Sequence, residues 1–219
     1  MTQKPTLAIL GGTGKEGPGL ATRWAYAGYK VIIGSRKAEK AQNTAAEINE
    51  ALGIDTVSGL VNDEAARAAD ICVLTVVQAA HQAALEGLVE ALQGKVLVDA
   101  TARVDFRDPK PPKQPSAARM AQDILGEGVR VAAAFQNVPA SALKKNLDKP
   151  VKTDVLVCAD DVDAGEQVVA LAEAGGMRAF YAGGLDNAVT VEGITALLIS
   201  MNKHYGGHGT VQVVGLEKE

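Results

Sequence analysis

Short apolar runs of strand length alternate with helical patterns along most of the chain, and this rhythm restricts the fold more than any other feature. Strands are expected at 6–10, 30–34, 57–60, 71–76 and 95–99, separated by helices at 17–27, 37–52, 62–68 and 78–92. A run with few polar interruptions, such as Ile71-Cys72-Val73-Leu74, suits a strand covered on both faces. Strand–helix–strand repetition of this kind builds a parallel sheet with crossover helices. The rhythm breaks at 105–115, where four of the eight prolines mix with charges, and a surface loop is expected. It resumes with a helix at 116–125, strands at 129–135 and 154–158, a helix at 163–174 and a strand at 178–181. A mostly apolar helix at 190–205 comes last.

The first strand runs directly into Gly12-Thr13-Gly14-Lys15-Glu16-Gly17, a Gly-x-Gly-x-x-Gly spacing at the mouth of the first helix. In a dinucleotide site Gly12 permits the tight turn, Gly14 leaves room for a pyrophosphate, and Gly17 lets helix and strand pack closely. The helix start then offers free N–H groups and a positive dipole end to the phosphates. The alternative is a plain glycine-rich turn, but the strand before and the helix after favour a binding site. The fold class read from the sequence is therefore α/β. A Rossmann doubly wound parallel sheet is placed over 1–140 and a small C-terminal α/β domain over 141–219.

The tip of the second strand bears on which dinucleotide is held. A site for NAD places a carboxylate there for the ribose 2′-hydroxyl. This chain instead has Ser35-Arg36-Lys37, with Lys40 one turn later, and no carboxylate at the tip. Cations are poorly placed at a helix start unless an anion joins them. A ribose 2′-phosphate is such an anion, so NADP(H) is the expected cofactor.

Composition excludes several classes. With 22 basic against 26 acidic residues, net −4, the chain lacks the basic excess of a nucleic-acid binder. No apolar stretch approaches the roughly 20 residues of a membrane helix, and the first apolar run is too short for a signal peptide. Cys72 and Cys158 each sit in an apolar run and read as buried small hydrophobes in a reducing compartment. A cytoplasmic protein without nucleic-acid or membrane partners is expected. His81, His204 and His208 are scattered without a zinc spacing, so no metal site is expected.

The segment 10–17 and Gly34-Ser35-Arg36 together resemble the coenzyme F420-dependent NADP oxidoreductase family. The similarity continues through 69–76, through Ala133-Ala134-Phe135-Gln136-Asn137-Val138-Pro139-Ala140, through 157–161, and through the last helix with its glycine-rich tail. It covers essentially the whole chain. The resemblance implies hydride transfer between NADP(H) and the deazaflavin coenzyme F420, catalysed by positioning the two rings and with no acid–base residue required. It also implies a C-terminal domain that helps form the deazaflavin cleft, and a homodimer. The apolar side of the last helix (Ile194, Leu197, Leu198, Met201) fits a buried or dimeric face.

The implied cofactor-binding set is Gly12, Thr13, Gly14, Lys15, Glu16, Gly17, Ser35, Arg36, Lys40, Thr75, Val76, Val77, His81 and Ala100. Thr75, Val76, Val77 and Gln78 would border the nicotinamide, although a plain strand-to-helix loop is the alternative, and a histidine on a helix such as His81 is more often a surface or half-buried residue than a catalyst. Gln136, Asn137, Val138 and Pro139 are implied to meet the deazaflavin, with a turn capped by Asn137 as the alternative. Gly207 and His208 belong to the same implied set, where the glycines could equally be a helix cap. Arg103, Lys144, Lys145 and Lys203 are candidates to steer an acidic substrate tail. The chain departs from the usual family pattern at Val77-Gln78, at Gln136 and in the loop 105–115. Two other readings stay open: reduction of another acceptor (a flavin, imine or carbonyl, for which Tyr205 or His208 would supply the proton), and a non-enzymatic NADP(H) sensor.

Overall fold

The computed structural model describes residues 4–216. The chain runs β1 (Leu7–Leu10), α1 (Gly17–Tyr26), β2 (Val31–Ser35), α2 (Ala38–Leu52), β3 (Val57–Val61), α3 (Asn62–Ala68), β4 (Ile71–Leu74), α4 (Gln78–Glu86), α5 (Val89–Leu92) and β5 (Val96–Asp99). It continues with α6 (Ala117–Leu125), β6 (Arg130–Ala133), α7 (Ala140–Leu143), β7 (Asp154–Ala159), α8 (Val162–Ala174), β8 (Arg178–Tyr181) and α9 (Ala188–Tyr205).

The strands form one sheet in the order β3-β2-β1-β4-β5-β6-β7-β8. The first six are parallel, as the apolar runs required. Alternate residues of a strand face opposite sides. Leu7 and Ile9 of β1 pack with Trp24, Ala41, Ile48 and Val168 under α1, α2 and α8. Ala8 and Leu10 pack with Ala65, Leu85, Leu92, Ala118 and Val191 under α3 to α6 and α9. With both faces covered, β1, β2, β4 and β5 are buried along their length.

The C-terminal α/β unit continues this sheet. β7 joins β6 antiparallel, pairing Ala132 with Ala159 and Ala133 with Cys158, and α8 carries the chain over to β8, parallel to β7. The boundary expected near 140 falls at α7, between these strands, and the apolar core under α1 runs on through Val155, Val157 and Ala179. Two side chains of α1 clasp the later segment. Trp24 donates its indole N–H to Leu171 O at 2.8 Å, and Arg23 donates to Lys145 O at 2.9 Å and Gly175 O at 3.3 Å. The Trp24 ring also stands edge-on to Phe135, 5.7 Å between centroids, the arrangement aromatic quadrupoles favour.

Several elements differ from the sequence reading. The helix expected over 78–92 is two helices, because Gly87 ends the first and Leu88 turns into the core at 4% exposure. The strand expected to reach Val76 stops at Leu74, after which Thr75 turns over the end of β1 with its N–H on Leu10 O. The strand expected to reach Phe135 stops at Ala133, since Phe135 takes a left-handed φ of 76° that bends the chain away. α7 is too short for a periodic signal and had no counterpart in the sequence reading.

Candidate dinucleotide and second-substrate site

In a doubly wound sheet, ligands bind where the strand order reverses, at the carboxyl ends. Here that point lies between β1 and β4. Gly11, one residue earlier than the sequence reading placed the turn, takes the left-handed φ of 70°. Gly12 is required for a different reason: a Cβ there would stand 2.5 Å from Ile9 O, while its N–H bonds Gly34 O at 2.8 Å. A Cβ on Gly17 would lie 2.6 Å from Gly12 Cα, so helix and turn touch backbone to backbone. A Cβ on Gly14 would meet only Gly11 O and Thr75 O, at 3.6 and 3.8 Å. The turn therefore keeps open room above Gly14, where Thr13 is half-buried and Lys15 exposed.

Glu16 stands at the N-cap of α1 without a capping bond. Its Oε1 is buried with no hydrogen-bond partner, and burial pushes the carboxyl up to about 8. The residue as a whole is half-buried, and the buried part is the carboxyl oxygen, which would carry the charge. A carboxyl that stays neutral near pH 7 does not oppose an anion at the helix start.

Ser35 closes β2, buried, with its Oγ accepting from Lys37 N at 3.4 Å. Arg36, Lys37 and Lys40 are exposed at the start of α2, and among the described residues no carboxylate pairs with them. Across the groove, Thr75 donates its N–H and hydroxyl to Leu10 O, Val76 packs against Gly11, and Val77 is 73% exposed beside them.

His81 lies inside the protein. Its Nε2 is 2.6 Å from Asp99 Oδ2, and Asp99 has no solvent exposure. The other Asp99 oxygen accepts from Thr101 N at 2.9 Å, and Ala100 N bonds Leu74 O at 3.1 Å. This pair joins α4 to the end of β5 and was invisible in sequence, because its partners stand 18 residues apart on different elements.

The peptide after β6 is held from three sides. Gln136 donates its amide to Asp99 O at 2.8 Å, Asn137 donates its amide to Asp154 O at 2.8 Å, and Thr195 on α9 donates its hydroxyl to Gln136 O at 2.8 Å. The turn is closed by Val138 N on Phe135 O, so the Asn137 side chain does not cap it, and Pro139 leads into α7. With both amide groups anchored, Gln136 Oε1 and Asn137 Oδ1 are left buried with no donor. Such orphaned acceptors are rare in folded proteins and each calls for a partner. Because β7 runs opposite to β6, its amino end at Asp154 reaches this same edge of the sheet.

Beyond α9, Gly206 takes a left-handed φ of 68° and caps the helix through its N–H on Asn202 O. Gly207 and His208 follow on an exposed stretch, and the tail then ties back to Asp154, whose carboxylate accepts from Val213 N and from Arg178. Of the cations considered for steering, Arg103 is committed to Glu192 and Lys203 to the carbonyls of Phe106 and Arg107, whereas Lys144 and Lys145 are exposed. Tyr205, 78% exposed, stacks edge-on with His204. No metal-binding group of acidic, histidine or cysteine side chains occurs among the described residues. Two surface clefts lie away from this groove, one around Leu147, Pro150 and Arg178, the other at the amino ends of β1 to β3 around Thr6, Lys30 and Thr56.

The strand order, the glycine turn and the cationic tip of β2 together define a Rossmann-type dinucleotide-binding protein. A likeness of fold alone extends to a hypothetical protein from Sinorhizobium meliloti (TM-score 0.67, 22% identity, 85% of this chain and 88% of that one). The same holds for a pyrroline carboxylate reductase from Plasmodium falciparum with NADP bound (TM-score 0.61, 15% identity, 94% of this chain and 66% of that one). Residues 6–103 match the family described as NADP oxidoreductase, coenzyme F420-dependent. The chain is 44% identical over 206 residues to the F420-dependent NADP reductase of Methanothermobacter thermautotrophicus, covering 90% of this chain and 88% of that protein. It is 40% identical over 227 residues to the F420-dependent NADP reductase of Methanocaldococcus jannaschii, covering 96% and 99%. The chain belongs to the coenzyme F420-dependent NADP oxidoreductase family.

Proposed function

We propose that this protein is an NADP-dependent oxidoreductase that passes a hydride directly between NADP(H) and the deazaflavin coenzyme F420. The geometric observation that carries the second substrate is the pair of buried amide oxygens, Gln136 Oε1 and Asn137 Oδ1, at the same sheet edge as the fingerprint turn. Both can only accept hydrogen bonds, and a ring bearing amide-type N–H groups, as a deazaflavin pyrimidine does, supplies what they lack. Reduction of another acceptor and a sensor role have no comparable observation in their favour.

NADP(H), when bound, supplies or receives the hydride at its nicotinamide. The residues present fit it. The N–H groups at the start of α1 and the bare Gly14 suit the pyrophosphate, and Ser35, Arg36 and Lys40 suit the 2′-phosphate. Glu16, Thr13, Lys15, Gly12 and Gly17 shape that turn, while Thr75, Val76, Val77 and Ala100 line the nicotinamide end. His81 acts from behind by holding Asp99. Gln136, Asn137, Val138 and Pro139, joined by Gly207 and His208 of the tail, form the deazaflavin side, to which residues 141–219 contribute through the strands and helices that extend the same sheet. Holding two rings at contact distance is itself a large rate factor, so no acid–base residue is needed for the hydride step.

The exposed apolar stripe of α9, Leu197 and Met201 with Tyr205, suits a homodimer contact. Two buried free cysteines and a substrate pair drawn from reducing coenzyme pools suit the cytoplasm. The test is a stopped-flow mix with NADPH and oxidised F420, following loss of the deazaflavin absorbance, with NADH and FMN as controls. Rapid bleaching with NADPH alone is expected. Tight NADPH binding without bleaching would overturn the deazaflavin assignment and keep the dinucleotide site.

A further inference from the structure

Glu192 is a carboxylate with no solvent exposure in the second turn of an apolar helix. It receives Ala117 N at 2.6 Å on one oxygen, and Arg103 N and Arg103 Nε, each at 3.2 Å, on the other. Nothing in the hydride step uses it. A buried ion pair is a poor device for stability alone, because desolvation offsets most of the attraction. Its use is better sought in what it holds in place.

What it holds is a strap. Residues 101–117 leave the nicotinamide end of β5 and run along α9 to the start of α6. Thr101 opens the strap on Asp99. Lys203 near the end of α9 binds Phe106 O and Arg107 O, a Cβ on Gly193 would touch Pro111, and Gln114 binds Asp186 O just ahead of the helix. Most of these bonds are exposed, whereas the bonds to Glu192 are buried or nearly so. One turn further along α9, Thr195 donates to Gln136 O, on the peptide that presents the two orphaned oxygens. Glu192 and Thr195 lie three residues apart, so the carboxylate that fixes the helix against the strap also fixes the height of Thr195.

We propose that Glu192 and Arg103 are a positioning pair for the second-substrate side, acting through Thr195 and Gln136 and not through the dinucleotide groove; this rests on the function proposed above. Either variant, Glu192→Gln or Arg103→Met, releases the same element. Their effects on the deazaflavin KM are therefore expected to be alike and not to add in the double variant. Misplacement of a binding group by about 1 Å costs up to about 100-fold, so a rise in the F420 KM of roughly 10- to 100-fold is expected. NADPH affinity should stay unchanged, and Arg103→Lys, which keeps the charge, should recover part of the loss.

The experiment measures F420 turnover, NADPH binding by fluorescence, and hydrogen exchange in peptides covering 188–205, 134–140 and 10–36. Absence of F420 turnover by the unaltered protein sinks the function proposed above, and the pair is then judged by exchange alone. Faster exchange in 188–205 and 134–140, with 10–36 unaffected, supports the pair. Additive losses, an equal loss of NADPH affinity, or exchange that rises everywhere or nowhere overturns it. Should Glu192→Gln fail to fold, Arg103→Met and Arg103→Lys carry the same test on a residue at the rim.

Discussion

Two alanine substitutions in the fingerprint turn should have opposite signatures. At Gly17 a Cβ would stand 2.6 Å from Gly12 Cα and 2.8 Å from Gly12 O, both backbone atoms that cannot swing aside. To reach the 3.4 Å of ordinary contact, the start of α1 must retreat by roughly 0.8 Å. Overpacking of this kind costs about 1–3 kcal/mol, which for a chain of this size lowers Tm by roughly 2–12 °C. At Gly14 the added Cβ meets nothing closer than 3.6 Å, so Gly14→Ala should fold with unchanged or slightly raised Tm. Yet its methyl group fills the space kept for the pyrophosphate. Loss of one hydrogen bond to a charged group, about 1.5–3 kcal/mol, raises the NADPH Kd roughly 10- to 150-fold. Thermal denaturation and NADPH fluorescence titration of both variants separate the two effects. If Gly14→Ala bound NADPH as tightly as the unaltered protein, the pyrophosphate would not lie over this turn and the reading of the groove would fail.

Arg36→Ala should weaken NADPH by about 1.5–3 kcal/mol and leave NADH untouched; calorimetric titration with both nucleotides checks this, and equal losses would refute it. Glu16 holds its proton to about pH 8 when folded, against an ordinary 4.5. The stability it confers as a neutral acid is therefore full below pH 4.5 and lost as pH rises through about 8. Glu16→Gln should flatten that decline in urea unfolding measured from pH 5 to 9, and an unaltered slope would count against the burial. Asp99→Asn leaves His81 without its carboxylate in a dry site. It should cost about 1–3 kcal/mol of unfolding free energy, the range for leaving a buried hydrogen-bonding group poorly paired, and no measurable loss would mean the pair is not formed.

The parts of this protein legible in sequence were those written in local pattern. The β–α rhythm, the Gly12–Gly17 turn and the cationic tip Ser35-Arg36 need only neighbours in the chain to be recognised. The carboxylates that organise the site were not legible, because each draws its role from partners on other elements: Asp99 from His81, Glu192 from Arg103 and Ala117, Asp154 from Arg178 and Val213. Glu192 alone left a trace, as a single acid between Val191 and Gly193 in an apolar helix. The left-handed turns at Gly11 and Phe135 were missed for a related reason. The motif's usual spacing points to Gly12 as the turn glycine, and a phenylalanine at φ 76° breaks the ordinary preference of a bulky residue.

The continuation of the sheet through β7 has a practical consequence for anyone wishing to isolate the cofactor half. Cutting the chain after α7 would strip β6 of its neighbour and expose an open edge of Val131, Ala132 and Ala133, each buried in the whole protein. A strand edge left unpaired over such an apolar stretch is a template for another chain. Trp24 would lose its acceptor and Arg23 its carbonyls on the far side of the same cut. A fragment ending there is expected to precipitate or to dimerise edge to edge, so the nucleotide-binding half is not a portable module, and grafting it onto other partners would require a replacement for β7.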